Sequence, residues 1–406
     1  MFASYFRAFE SKEIVSSIHG CIDIAETYQE RWGLYIRLAG WAFSENSTVQ
    51  KIEAWVENAS SSSPGPDNRA ELLSYGRLRP DVKESYGAAC PSSNVGFQGF
   101  LRLTKDQANS EIHTLCISIS VRTGEMRVLK KPFSVTYSAP RTAISKELSA
   151  MTAPPPRLIA PNLFILGAAK CGTTSLHYAL SQHPEIHLSK IKEPTFFCQN
   201  PIYTSNPVEY FHLFEFQPGK KYYGESSTSN FNTPEAAPIL KQLFPDAKFL
   251  LILRNPVMRS HALYQHMFRN GEEVITSFEQ ALDEEDRRFH DGRFRDRSPG
   301  HFWNYMYVQS SRYDLQLERY LALFPRENFF VLTLGEWKSN PDFWLQEIYR
   351  FLDVDSAASV VVEAKNQAPR YEQMSAATHR FLTEKFVGVR ERVESLVGRR
   401  LSHWDY

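Results

Sequence analysis

Hydrophobic and polar positions follow two different rhythms along the chain. Between about residue 30 and residue 137 the apolar residues come in short, largely alternating runs: LYIRLAGWAF, KIEAWVE, GFQGFLRLT, HTLCISISV and VLKKPFSVTY. Alternation with period two gives an extended strand one apolar and one polar face, and turn-rich breaks such as NASSSSPGPDN (58–68) separate the runs. The pattern predicts an all-β sandwich domain over residues 1–138. The stretch 139–158 ends in a proline cluster that can continue neither a helix nor a central strand, so 139–159 reads as a linker. From Asn162 on, apolar runs (LFIL, KFLLIL, FFVLTL) alternate with longer helix-compatible stretches. A strand covered on both faces needs no polar side. This rhythm therefore predicts an α/β domain over 160–406, a P-loop-like parallel sheet flanked by helices.

Composition narrows the functional classes. With 42% hydrophobic and 23% charged residues the chain is ordinary globular protein, not a disordered or fibrous one. Forty-six basic residues balance 46 acidic ones, so bulk charge gives no reason to expect nucleic acid or anionic membrane as a partner. Any anion site must come from a few placed groups. No run of about 18 apolar residues predicts a membrane span, and MFASYFRAFESKEIVSS has no apolar run of signal-peptide length. Five scattered cysteines without CxxC spacing fit a reducing, cytoplasmic setting. The histidines show no HExxH or paired spacing, so no metal site is expected. His183 and His187 stay as reserve bases. The arginine-rich stretch RRFHDGRFRDR (287–297) reads as a solvated loop, with contact to an anionic or sugar acceptor as the alternative.

Candidate chemistry begins at LFILGAAKCGTTSL (163–176), where an apolar strand meets small residues and then a helix-compatible stretch. A helix N-terminus behind a glycine-bearing loop aims N–H groups and the helix dipole at an anion. Gly167 and Gly172 let the backbone approach a ligand closely, Lys170 adds a charge, and Thr173, Thr174 and Ser175 add donors. Cys171 sits where a helix terminus would lower its thiol pKa, though a packed small residue is the simpler reading. A nucleoside-triphosphate loop, GxxxxGK[ST], needs Lys where Thr173 stands. The arrangement instead resembles the 5′-phosphosulfate loop of sulfotransferases that use 3′-phosphoadenosine 5′-phosphosulfate (PAPS).

A second strand, KFLLIL, ends at Arg254, where Asn255 can cap a helix beginning at Pro256. Arginine there can grip phosphate with two parallel N–H bonds. The family's 3′-phosphate motif, RxPxxRxxSxY, is matched by Arg254, Pro256, Arg259 and Tyr264, but Ala262 occupies the serine position. Ser260, two residues earlier, is the stand-in, and Arg259 reads equally as a ligand contact or a solvated helix arginine. KIKEPTFF (190–197) is similar to the KEPxFF element of heparan-sulfate-type and related bacterial sulfotransferases. That resemblance implies Glu193 as the base toward the acceptor, Lys192 beside it, and Phe196 and Phe197 walling the reaction site. GESST (224–228) resembles a turn beside the nucleotide, and residues 310–337 and 351–355 resemble the family's later helix-strand-helix section. The loop around Lys365–Tyr371, with Arg370, would close over the donor. In the β half, GWAF (40–43), IEAWVE, YGRLRPDV with Tyr86, and VGF (95–97) resemble sandwich modules found beside bacterial glycan-modifying enzymes.

The resemblance implies in-line sulfuryl transfer from PAPS to a hydroxyl or amine of a carbohydrate acceptor. Lys170 would neutralise charge on the leaving oxygen, Glu193 would take the proton, and Arg254 would fix the 3′-phosphate. The alternatives are a P-loop nucleotide kinase or NTPase, and a non-catalytic glycan-binding protein with a degenerate α/β half, for which Ala262 speaks.

Overall fold

The computed structural model describes residues 17–30, 33–58, 70–71, 74–78, 80–92, 94–102, 113–133, 151–155, 158–198, 206–298, 301–356, 358, 360 and 373–404. The chain divides into two compact units, with the main boundary between Ser138 and Ala139. The sequence-derived break at 58–68, the N-terminal stretch up to residue 16 and the first part of the expected linker, to residue 150, lie largely or wholly outside the described residues. Further along that linker, Met151, Leu158 and Ile159 pack against the α/β core.

The first unit holds β1 (Ile18–Glu30), β2 (Gly33–Ser44), β3 (Val49–Asn58), β4 (Ala70–Glu71), β5 (Ser74–Leu78), β6 (Asn94–Arg102), β7 (His113–Val121) and β8 (Met126–Phe133). They form two antiparallel sheets, β1-β2-β6-β5 and β4-β3-β7-β8. Alternate residues from both sheets, Ile36 and Leu38 in one and Ile52, Ala54, Ile117 and Ile119 in the other, make up one buried cluster. The long strand β1 was not expected from the sequence. Its register shifts between Ile22 and Ile24, and such a bulge breaks the two-residue alternation by which strands are read.

The second unit carries β9 (Leu163–Gly167), β10 (Ile186–Leu188), β11 (Tyr222–Glu225), β12 (Lys248–Leu253) and β13 (Phe329–Thr333), all parallel in the order β10-β11-β9-β12-β13. The parallel α/β expectation holds, and the three apolar runs that announced it are β9, β12 and β13. From β9 the chain builds outward to β10 and β11 on one side, then to β12 and β13 on the other. Such a reversal opens a crevice at the C-terminal strand ends. The helices Thr173–Ser181, Pro256–Arg269 and Leu334–Ser339 follow β9, β12 and β13, so three helix N-termini gather along that edge.

The arginine-rich stretch 287–297 is not a solvated loop. It ends the helix Phe278–His290 and forms the helix Gly292–Arg297. Arg288 is fully buried and grips Glu273 through two bonds of 2.6 and 2.9 Å, with the Tyr307 hydroxyl donating to the same carboxylate at 2.6 Å. Pairing offsets the cost of burying the charges, which a lone arginine there could not recover. Among the described residues no helix is long and apolar enough to cross a membrane.

Candidate active site

The loop after β9 is shaped by left-handed backbone at two points. Gly172 caps the following helix at φ 96°, where a Cβ would come within 2.9 Å of Leu334 Cδ1. Lys170 has φ 67°, a conformation that few non-glycine residues adopt. Two side chains of the Pro256–Arg269 helix, seven residues and so about two turns apart, reach this loop. Arg259 Nε donates to Ala169 O at 3.2 Å, and His266 Nδ1 lies 3.2 Å from Lys170 Nζ. Thr173 is buried, while Lys170, Gly172, Thr174 and Ser175 remain half-exposed along the loop. Cys171 departs from the helix-terminus expectation. It is fully buried with Sγ 3.8 Å from the Tyr313 hydroxyl, and burial pushes its thiol pKa up rather than down.

One strand over, Asn255 caps the next helix by accepting from Met258 N at 3.1 Å. Arg254 stands at the end of β12, half-exposed, at a recess of about 200 Å³ that it shares with Asn255 and Met258. Arg259 is not solvated: its guanidinium is fully buried, with Nη1 donating to Ser311 Oγ at 3.0 Å and to Ser310 Oγ. Its Nη2 has no hydrogen-bond partner among the described residues. Ser260, expected as a donor contact, is instead fully buried and ties the helix down. Its hydroxyl bonds Pro256 O and Tyr307 O, both at 2.8 Å, and lies 3.0 Å from Ser311 Oγ. Ala262 is buried as well, and Tyr264 donates to Ile275 O at 3.0 Å inside the core.

On the other flank of β9, residues 226–230 follow β11 and receive the candidate base. Glu193, itself left-handed at φ 59°, accepts from Thr228 N at 2.7 Å through one oxygen and from Lys192 Nζ at 2.7 Å through the other. The Thr228 hydroxyl adds contacts of 3.2 Å to both oxygens. About a third of the Glu193 side chain stays exposed, at 32%, so the residue is not sealed into the core. Phe196 and Phe197 do not wall this site. Both are buried, Phe196 stacked on Tyr210 at 4.2 Å and Phe197 edge-on to Phe164, so they pin the loop to the core. His177, on the phosphate-loop helix, sits 2.7 Å from Ser226 Oγ and is pushed down to about 4 by burial, with the Lys192 charge adding to the shift. It is neutral at pH 7 and joins the helix to the turn that holds Glu193.

A second carboxylate, inside the GESST segment, lies beneath that turn. Glu225 is fully buried, accepting from Ser227 Oγ at 2.5 Å and Asn230 Nδ2 at 2.6 Å. Burial raises its pKa to about 7; the two hydrogen bonds oppose the rise and the Glu193 charge adds to it. Because the folded chain holds this proton more tightly than the unfolded chain, stability falls as pH rises from about 4.5 to about 7. At ~1.4 kcal/mol per unit, Glu225 accounts for about 3 kcal/mol of that fall. Glu225→Gln is expected to flatten the decline in denaturant midpoint across this window; an unchanged slope would count against the assignment. Buried Glu285, also pushed up to about 7 by burial, would keep its own share.

The reserve histidines are structural in their surroundings: His183 is buried with Nε2 2.8 Å from Asp355 O, and His187 lies on β10 with a buried Nε2. Arg370 and the rest of Lys365–Tyr371 lie outside the described residues. Among the described residues no cluster of three His, Cys, Asp or Glu is placed to hold a metal ion.

Comparison with known proteins bears on this geometry. Residues 160–392 match the sulfotransferase domain family, more than half of the chain. Carbohydrate sulfotransferase 15 of Mus musculus is 26% identical over 277 residues, covering 55% of this chain and 49% of that protein. The human bifunctional heparan sulfate N-deacetylase/N-sulfotransferase 2 is 25% identical over 205 residues, 48% of this chain and 22% of the human one. The chain thus spans half or less of the length of these relatives. A sulfotransferase structure from Alicyclobacillus acidocaldarius is 30% identical with a TM-score of 0.53, covering 61% of this chain and 99% of that one. The matched region contains the loop after β9, Glu193 and Arg254, and the chain belongs to the sulfotransferase family.

Proposed function

We propose that the chain transfers a sulfuryl group from PAPS to a hydroxyl or amine of a carbohydrate acceptor. The observation that carries this reading is the alignment of three elements along one sheet edge: the Glu193 turn after β11, the glycine loop after β9 and Arg254 after β12. The residues suit an anionic nucleotide. Lys170 and Arg254 border the edge, and the Nη2 of buried Arg259 has no partner among the described residues. A nucleotide kinase would need lysine at position 173, where a buried threonine stands.

When bound, PAPS supplies a sulfuryl group attached to a phosphate leaving group. The N–H groups of Gly172–Ser175 and the Lys170 ammonium would hold its 5′ end and neutralise charge gathering on the bridging oxygen. Arg254 would hold the 3′-phosphate and so set the register of the nucleotide. Glu193, oriented by Thr228 and Lys192, would receive the acceptor proton. A carbohydrate acceptor is supported by the names of the mouse and human relatives. The five free thiols support a reducing compartment as the place of reaction.

The test is transfer of labelled sulfate from PAPS to a panel of glycosaminoglycans, neutral oligosaccharides, glycolipids and phenols. Labelled saccharide is the expected product. Label on phenols alone would move the acceptor class, and no label on any of them would remove the reading.

A further inference from the structure

Beyond the family match, which ends at residue 392, the chain folds back onto the end of β13 and the helix that follows it. Glu336, in the helix after β13, holds this return. It accepts from Arg399 through both nitrogens at 2.8 and 2.9 Å and from the Ser402 hydroxyl at 2.8 Å. Thr333 donates to Ser402 O at 2.8 Å, and Trp404 is fully buried with its ring edge-on to Tyr313. Between these anchors His403 takes a left-handed backbone at φ 55° and faces the recess that Arg254 borders. Gly335 makes room for it, since a Cβ there would lie 2.3 Å from His403 Cβ.

Lys338, exposed and one turn along the same helix, completes the lining. Arg254, Lys338 and His403 thus converge on one recess of about 200 Å³, and among the described residues no carboxylate lines it. Two cations in a concave site repel one another and raise the local concentration of anions, and the His403 ring brings an N–H donor, so the arrangement gains by binding one. Ala262, at the position where the family motif carries serine, lies one helical turn beyond Met258 of this recess.

We infer that Lys338 and His403, together with Arg254, bind the 3′-phosphate of the donor nucleotide, in the role for which this chain lacks the motif serine. The inference rests on the PAPS reading above and adds two binding residues to it, one of them delivered by the C-terminal return.

Calorimetric titration of the full chain with 3′-phosphoadenosine 5′-phosphate and with adenosine 5′-phosphate tests it. The wild type should bind the bisphosphate more tightly. Lys338→Met, a change at an exposed position, and His403→Asn, which tolerates left-handed backbone, should each weaken bisphosphate binding roughly ten- to a hundred-fold while leaving adenosine 5′-phosphate binding unchanged. Gly335→Ala should reproduce the His403 effect by displacing the return. Unchanged bisphosphate affinity, or equal losses for both nucleotides, would overturn the inference while leaving the donor reading intact. A wild type that binds neither nucleotide would overturn both.

Discussion

Lys170→Ala is expected to lower kcat for sulfuryl transfer by roughly 10²–10³-fold, the usual cost of removing one preorganised stabilising group from a site of developing charge. The surroundings of Lys170 fit that proposed task. Its left-handed backbone places it between Ala169, held by Arg259, and the capping Gly172. His266 stands 3.2 Å from its ammonium and limits where the side chain can go. The residue is half-exposed and outside the core, so the variant should unfold at nearly the wild-type midpoint. Single-turnover rates with PAPS, alongside unfolding curves, check both halves. Wild-type turnover in a folded Lys170→Ala protein would show that charge on the leaving oxygen is met elsewhere.

Glu193→Gln should lower kcat by about 10²–10⁴-fold, the span typical of a lost general base, and leave nucleotide affinity near wild type. Glutamine keeps the shape, and its single amide oxygen can still accept from Thr228 N, the bond that holds the turn, while the Lys192 contact is given up. What it loses is the capacity to take a proton. Lys192→Met makes a useful contrast: it removes the partner at 2.7 Å without touching the carboxylate. That variant should retain more activity than Glu193→Gln, because the carboxylate that would take the proton stays in place on Thr228 N. Full turnover by Glu193→Gln would remove it as base.

Much of the catalytic fold was legible as apolar runs, because β9, β12 and β13 are buried on both faces and need no polar alternation. The strands β10 and β11, of three and four residues, were too short to leave a rhythm. Lys170, Glu193 and Arg254 could be named because loop and cap chemistry is local in sequence. Arg259, Ser260 and Cys171 were harder, since only packing decides whether a polar side chain on an amphipathic helix faces water or core. Burial overrides the helix terminus at Cys171, and the Tyr307–Ser311 segment closes over Ser260. His266 was missed because its partner Lys170 comes from a distant element, and Glu225, whose partners Ser227 and Asn230 are local, because only burial sets it apart. His403 reaches its place through contacts some seventy residues apart, between Ser402 and Thr333 or Glu336. Gly335 was the one trace such an approach left in the sequence.

The central claim is that this sheet edge moves a sulfuryl group from PAPS to an acceptor, and a paired product count tests it most directly. In a single reaction with labelled PAPS and a responsive saccharide, 3′-phosphoadenosine 5′-phosphate and sulfated saccharide are quantified together by mass spectrometry. The expected result is equal amounts of the two products, both lost in Lys170→Ala. Nucleotide cleavage without sulfated saccharide, or turnover of ATP in place of PAPS, would contradict it.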